Sequence, residues 1–469
     1  MTEEDKKSDE LRDRRRTILR LAWPAILEMA FYMLVWIVDT AMVGRLGAAA
    51  LSAVGLGGQF YWTVTWVFGS IGIGTTIVVA RYVGAANFDR ARKAGEQALG
   101  MAFVIGLVVW AGVWYSSPWF FRLSGAESVV EMSGTVYIRV ISLSTAPWIA
   151  GYAASGVLRG WGDTRTPLYI AAIGNALNVV GDYALIFGRL GFPALGVSGA
   201  AYASAGSIIV RFCLSLVAVL RKENGNASNA YNTYGPGNIA RPGLRFTRIF
   251  SPDFGLMGLI ARLSVPAGLE AFLVDGARTV NMVFLTTLGT VAFAAHQVVI
   301  VAESLSFMPG YGFAVASTVL VGQRLGEGNI RRAEEDTKET VRLSLMLMSL
   351  TGVLLAAFPG PILRLFTDEA GVIARGIPCL MLAALEQPLL AVADTLSAAL
   401  KGAGDTKGPF YIAAVASWGF RVPLMFLAVR VLGYPLPVAW IIIVAGVGFQ
   451  AILIYRRYRK GDWKRIKLE

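Results

Sequence analysis

The chain has 469 residues, of which 55% are hydrophobic and only 16% charged, against about 25% charged in an ordinary soluble domain. So few charges cannot cover so much apolar surface, which excludes a string of soluble domains and points to a polytopic membrane protein; the 52 Gly and 12 Trp agree. One His (His296) and two Cys (Cys213, Cys379) argue against a metal cluster or a disulfide framework, and the net charge of +12 is a footprint either of nucleic acid or of membrane topology.

A charged N-terminal tail, residues 1–16, precedes an apolar stretch too long for the core of a signal peptide. A membrane-spanning helix needs about 20 mostly apolar residues. Twelve segments qualify: 17–43, 52–80, 94–117, 129–157, 167–188, 194–220, 255–287, 294–322, 336–358, 371–399, 409–429 and 435–455. The sixth and seventh are separated by 221–254, whose Asn, Gly and Pro read as a flexible linker, and a basic tail, 456–469, follows the twelfth. The expected fold is an all-α integral membrane protein with twelve transmembrane helices in two six-helix lobes, 17–220 and 255–455.

The basic residues orient this map. Of 43 Lys and Arg, 32 fall in the two tails and in every second loop, and only 7 in the alternate connections. That asymmetry marks the first set as cytoplasmic, so both termini and the 221–254 linker are expected inside the cell, in a plasma or inner membrane. The +12 then reads as orientation and contact with anionic lipid; no basic domain stands outside the membrane to take nucleic acid.

The two halves repeat. Pro24-Ala25 and Leu27-Glu28 align with Pro266-Ala267 and Leu269-Glu270; Gly84, Asn87 and Arg90 with Gly326, Asn329 and Arg332; Gly162-Asp163-Thr164 and Pro167 with Gly404-Asp405-Thr406 and Pro409. A single offset of 242 residues holds throughout. An even number of spans per half gives both copies the same orientation, hence a pseudo-two-fold axis along the membrane normal. Transporters built in this way bind substrate between the halves and alternate its access.

Several motifs resemble the MATE family of multidrug and toxic-compound extrusion antiporters. They are Val38-Asp39-Thr40-Ala41-Met42-Val43-Gly44-Arg45-Leu46-Gly47 at the end of the first span, Leu158-Arg159-Gly160-Trp161-Gly162-Asp163-Thr164 after the fourth, Gly196-Val197-Ser198-Gly199-Ala200-Ala201 at the sixth, and Phe307-Met308-Pro309-Gly310 with Val321-Gly322-Gln323-Arg324-Leu325-Gly326 along the eighth. Asp39 together with Asn178-x-x-x-Asp182 resembles the DinF-like branch, in which the matching residues form the proton-responsive cation site. The resemblance implies export of amphipathic, often cationic, organic compounds driven by inward H⁺ or Na⁺, with no cofactor.

An ionised side chain at the bilayer centre costs roughly 2.5–3.5 kcal/mol or more, so the acidic residues inside spans are the candidates for chemistry: Glu28, Asp39, Asp182, Glu270, Asp275, Glu303, Glu386 and Asp394. Asp39 and Asp182 break the repeat, their counterparts being Asn281 and Leu424. Asn175, Asn178 and Asp182 fall at i, i+3 and i+7, on one helical face. Low dielectric favours the neutral form of a carboxylate, which suits proton or Na⁺ exchange at Asp39, Asn178 and Asp182; a hydrogen-bonded packing cluster is the plainer alternative. Tyr137, Glu270, Asp275, Glu386 and Asp394 are candidate cavity or substrate contacts, each against a structural reading: core packing for Tyr137, a job shared with Glu28 for Glu270, and an i, i+3 ion pair with Arg278 for Asp275. Pro24 is expected to bend the first helix.

The function expected is a gradient-driven drug or metabolite exporter, a monomer among membrane lipids, taking a small organic substrate. The alternative is a flippase for a lipid-linked precursor, for which only four basic residues within the spans (Arg211, Arg262, Arg278, Arg421) are few. A membrane-embedded enzyme lacks both metal ligands and a nucleophile–base set, and the Gly-Asp-Thr turns have no ATP-binding Lys spacing.

Overall fold

The computed structural model describes residues 3–221 and 243–468; most of the expected 221–254 linker lies outside the described residues. Among the described residues, ten helices are long and apolar enough to cross a bilayer. An eleventh, Thr290–Gly326, is bent by 44° at its middle, between Ser304 and Ser306. The remaining expected span, 129–157, is built from two helices, Ser128–Ser142 and Thr145–Gly160, that break at Leu143 and Ser144. Large apolar side chains such as Val108, Met132, Val353 and Leu385 stand more than half exposed, as expected where lipid rather than water is the surrounding solvent.

The chain divides into two compact units, Leu27–Gly268 and Met1–Ile26 with Leu269–Glu469. These limits differ from the 17–220 and 255–455 read from the sequence. The boundaries fall inside two continuous helices, Glu3–Gly44 and Phe254–Leu285, at positions that are repeat mates, 26/27 and 268/269. Each helix thus gives its first turns to one unit and its remainder to the other.

In the Leu27–Gly268 unit, the second span runs from Ala48 to Gly69 and continues as Ile71–Gly84. Small residues let it pack closely: a Cβ on Gly74 would lie 2.8 Å from the Ile260 carbonyl oxygen, and one on Gly156 would lie 2.4 Å from that of Gly72. The Thr76 hydroxyl donates across this contact to the Gly156 carbonyl at 3.1 Å. Asn87 caps the third span, Phe88–Leu123, by accepting from the Arg90 N–H. Asp163 accepts from the Arg165 and Thr166 N–H groups and so starts the fifth span, Arg165–Phe187. Val197–Leu220 is the sixth. The segment leading into Phe254–Leu285 docks on the third span, where Glu96 accepts from the Arg245 N–H and Gln97 from that of Asp253.

The other unit repeats these devices. Asn329 caps Ile330–Ala357 through the Arg332 N–H, and the Thr318 hydroxyl donates to the Ala398 carbonyl at 3.1 Å. Residues Ile18, Leu21 and Ala22 of the first helix bury themselves against Phe313, Ala316 and Leu320. Arg14 pairs with Glu335 and Asp336 at 2.6 and 2.9 Å, and Arg15 with Glu339 at 2.6 Å. Ala370–Gly402 is the tenth span. The eleventh, Lys407–Val431, is underwound to a π-helix at Val415–Arg421 and again at Phe426–Val431. Leu436–Lys460 is the twelfth, and Asp405 pairs with its Arg457 at 2.6 Å.

Candidate functional site

Asp39, Asn178 and Asp182 come together in the Leu27–Gly268 unit. The fifth and sixth spans approach closely because glycines face backbone: a Cβ on Gly199 would lie 2.4 Å from the Leu185 carbonyl oxygen, and one on Gly181 would lie 3.0 Å from the Ala203 Cβ. That approach sets Asn178, 3% exposed, beside Ser204. With its amide turned to satisfy both ends, Asn178 donates to the Asp39 carboxylate at 3.0 and 3.3 Å and accepts from the Ser204 hydroxyl at 3.3 Å. Asp182 is 1% exposed and lies within hydrogen-bonding reach of Asp39. Among the described residues, neither of its oxygens receives a hydrogen from any other side chain or backbone group. A hydrogen bond between two carboxyl groups needs one proton held between them, so this pair is complete only when it carries a proton, or a cation in its place.

Tyr137 is buried over Gly57 and lies within electrostatic range of both carboxyls. Tyr61 is also buried, and its hydroxyl meets that of Ser144 at 3.1 Å, at the break in the fourth span. Ser204, Tyr61 and Ser144 were not singled out from the sequence. A hydroxyl on a small-residue helix carries no signal of its own; Ser204 became visible only through Asn178, 26 residues before it.

Pro24 is buried within Glu3–Gly44, which runs as one continuous helix through it. Four residues beyond lies a contact that the sequence did not disclose. The Glu28 carboxylate accepts from Arg159 Nη2 at 2.8 and 2.9 Å, with both side chains about 5% exposed. Its repeat mate is present too: Glu270 accepts from Lys401 Nζ at 2.9 Å. The two pairs have the same sequence separation, 131. Glu270, expected as a cavity or substrate contact, thus has its charge neutralised within its own unit. The Arg211 guanidinium sits 4.5 Å from the Tyr32 ring centroid, near Glu28.

The other candidates lie in the second unit and form a separate cluster. Asp275 faces Arg278 across 3.8 Å, the i, i+3 pair anticipated. The Gln387 amide donates to Glu303 at 3.3 Å. Glu386, 5% exposed, feels the charges of Glu303, Arg421 and Arg278, and its Oε2 has no hydrogen-bond partner among the described residues. Asp394 feels Lys401, Arg278 and Glu270. Arg421 ends the first π-helical stretch, where the extra residue per turn re-aims side chains. His296 packs against Trp440 in the apolar core, with ring centroids 5.5 Å apart.

A duplicated bundle of six apolar spans is the architecture of a membrane transporter. The family model described as MatE matches residues 24–184 and 266–427, once per repeat. A probable multidrug resistance protein NorM of Thermotoga maritima is 30% identical over 457 residues, covering 97% of this chain and 95% of that protein. A probable multidrug resistance protein YoeA of Bacillus subtilis is 27% identical over 445 residues, covering 94% and 92%. The fold is that of a solved outward-facing multidrug resistance MATE family transporter, with TM-score 0.84, 22% identity and 97% of each chain covered. A MATE structure described as the straight conformation also scores 0.84, at 24% identity and 97% coverage of each chain. The chain belongs to the MATE family.

Proposed function

We propose that the chain is an ion-gradient-driven antiporter that exports amphipathic, often cationic, organic compounds across the cell membrane, with Asp39 and Asp182 as the coupling carboxylates and Asn178 holding Asp39 in place. The multidrug resistance names of its relatives support the substrate class. The observation that carries the coupling role is the carboxyl pair: Asp182 is buried and, among the described residues, has no donor except a proton shared with Asp39. If that proton leaves, two like charges about 4 Å apart repel by roughly 4 kcal/mol at an effective dielectric of about 20. The pair then separates or admits Na⁺. Either response moves the first span relative to the fifth, which links ion occupancy to the shape of the unit. Both termini are cytoplasmic in this reading, so the proton or Na⁺ enters from outside and is released inside as substrate leaves.

The test is efflux of an ethidium-type dye from vesicles containing the purified protein, with pH and Na⁺ gradients imposed separately. Dye export driven by at least one gradient supports the reading. Fluorescent-lipid flipping with no gradient-driven dye export would replace it with the flippase.

A further inference from the structure

The cytoplasmic-type basic cluster at the end of the twelfth span is not uniform. Arg457 pairs with Asp405, Lys460 with Asp462 and Lys464 with Glu334. Arg456 and Arg459 are exposed, and among the described residues neither pairs with a carboxylate. These two arginines stand at the rim of a groove of about 610 Å³ between the tenth and twelfth spans. Its walls are Leu389 and Val392 on one side and Gly448, Ala451 and Ile452 on the other, with Tyr455 below the arginines. Gly448 and Ala451 are three apart on one helix face, and the absent side chain of one and the small methyl of the other make the groove.

The groove faces the hydrocarbon: Ile452 is 53% exposed and Tyr455 48%. The Arg459 guanidinium lies 5.9 Å from the Tyr455 ring centroid, an aromatic placed where apolar wall meets charged rim. From Gly448 to Arg459 is eleven residues, about 16 Å of helix at 1.5 Å per residue, close to one leaflet of a roughly 30 Å hydrocarbon core. A cavity of this length, apolar along its walls and doubly cationic at one end, matches one ligand chemistry.

We propose that this groove is a binding site for a single anionic phospholipid, its phosphate between Arg456 and Arg459 and an acyl chain along Gly448 and Ala451. Such basic pockets between spans hold anionic headgroups. Each arginine near a membrane surface contributes about fivefold in affinity, so the two together give about 30-fold. The groove adds shape to that charge and distinguishes a site from general attraction to the surface.

The experiment is native mass spectrometry of the full chain in detergent, titrated with dioleoyl phosphatidylglycerol, dioleoyl phosphatidylcholine or inorganic phosphate. Wild type is expected to retain one phosphatidylglycerol in preference to phosphatidylcholine. Arg456→Gln with Arg459→Gln is expected to lower that affinity about 30-fold. Gly448→Phe fills the groove without touching the charges, because a Cβ there meets only Leu389 Cδ1, at 3.5 Å; it is expected to abolish retention while the chain stays folded by thermal melting. Lys460→Gln with Lys464→Gln, both outside the groove, is expected to leave retention unchanged. Equal retention of the two lipids, displacement of the lipid by inorganic phosphate, or full retention in either groove variant overturns the proposal.

Discussion

The Glu28–Arg159 pair invites a quantitative perturbation. It lies four residues beyond Pro24 and just past the point where the first helix passes from one compact unit to the other. Glu28→Gln removes one charge and keeps the shape. It takes from the buried Arg159 guanidinium, 5% exposed, the carboxylate it meets at 2.8 Å, and from Arg211 the charge of Glu28. Removing one partner of a buried pair costs about 3–5 kcal/mol, whereas replacing both with apolar groups of similar volume is often neutral. Glu28→Gln and Arg159→Met are therefore each expected to destabilise strongly, while the double variant recovers most of the loss, a coupling of about 2 kcal/mol or more in a double-mutant cycle. The assay is reversible unfolding of the purified protein in mixed micelles, read by Trp fluorescence. Additive losses, or a Glu28→Gln variant as stable as wild type, would show that the pair does not hold the first span to the fourth.

The repeat mate gives a graded version. The Glu270 and Lys401 side chains are 12% and 18% exposed and joined through one oxygen, so Glu270→Gln is expected to lose only about 1.5–3 kcal/mol in the same assay, less than Glu28→Gln. Gly402→Ala places a Cβ 2.5 Å from the Thr318 carbonyl oxygen and is expected to destabilise by about 1–3 kcal/mol. Gly112→Ala, with open space around it, is expected to be neutral or to stabilise by up to about 1 kcal/mol, and thermal melting compares the two. Ser204→Ala leaves the Asn178 carbonyl without its donor. At about 1–3 kcal/mol for an unsatisfied group, it is expected to weaken the apparent affinity for the driving ion at least fivefold in vesicle efflux while the protein remains folded.

Much of this was legible in the sequence because it rests on composition and period. Eleven of the twelve spans have continuous apolar runs, and the repeat at 242 announced the second copy of each cap and turn, as at Asn87 and Asn329. Asp39 and Asp182 stood out because a carboxylate within a span is costly and because each breaks that repeat. What stayed hidden depends on packing. Arg159 and Lys401 sit at helix ends and read as loop charges; only the folded chain shows them reaching back to Glu28 and Glu270. The unit boundaries at 26/27 and 268/269 fall within unbroken helices, where no turn residue marks a change of neighbour. The break at Leu143 and Ser144 is marked only by Pro147, in the first turn of the helix that follows, which has no N–H for the Leu143 carbonyl; the π-helical stretches around Arg421 leave no mark on an apolar pattern.

The most direct test of the coupling claim is to count ions and substrate together. Proteoliposomes loaded with a pH-sensitive dye report proton movement as a cationic dye is exported, first under a pH gradient and then under a Na⁺ gradient, for wild type, Asp39→Asn and Asp182→Asn. In wild type, substrate export is expected to follow one of the gradients, with counter-movement of that ion. Both variants are expected to bind substrate, remain folded and lose the gradient-driven component. Export by Asp39→Asn at the wild-type rate, with wild-type ion movement under the same gradient, would contradict the assignment of the carboxyl pair as the coupling site.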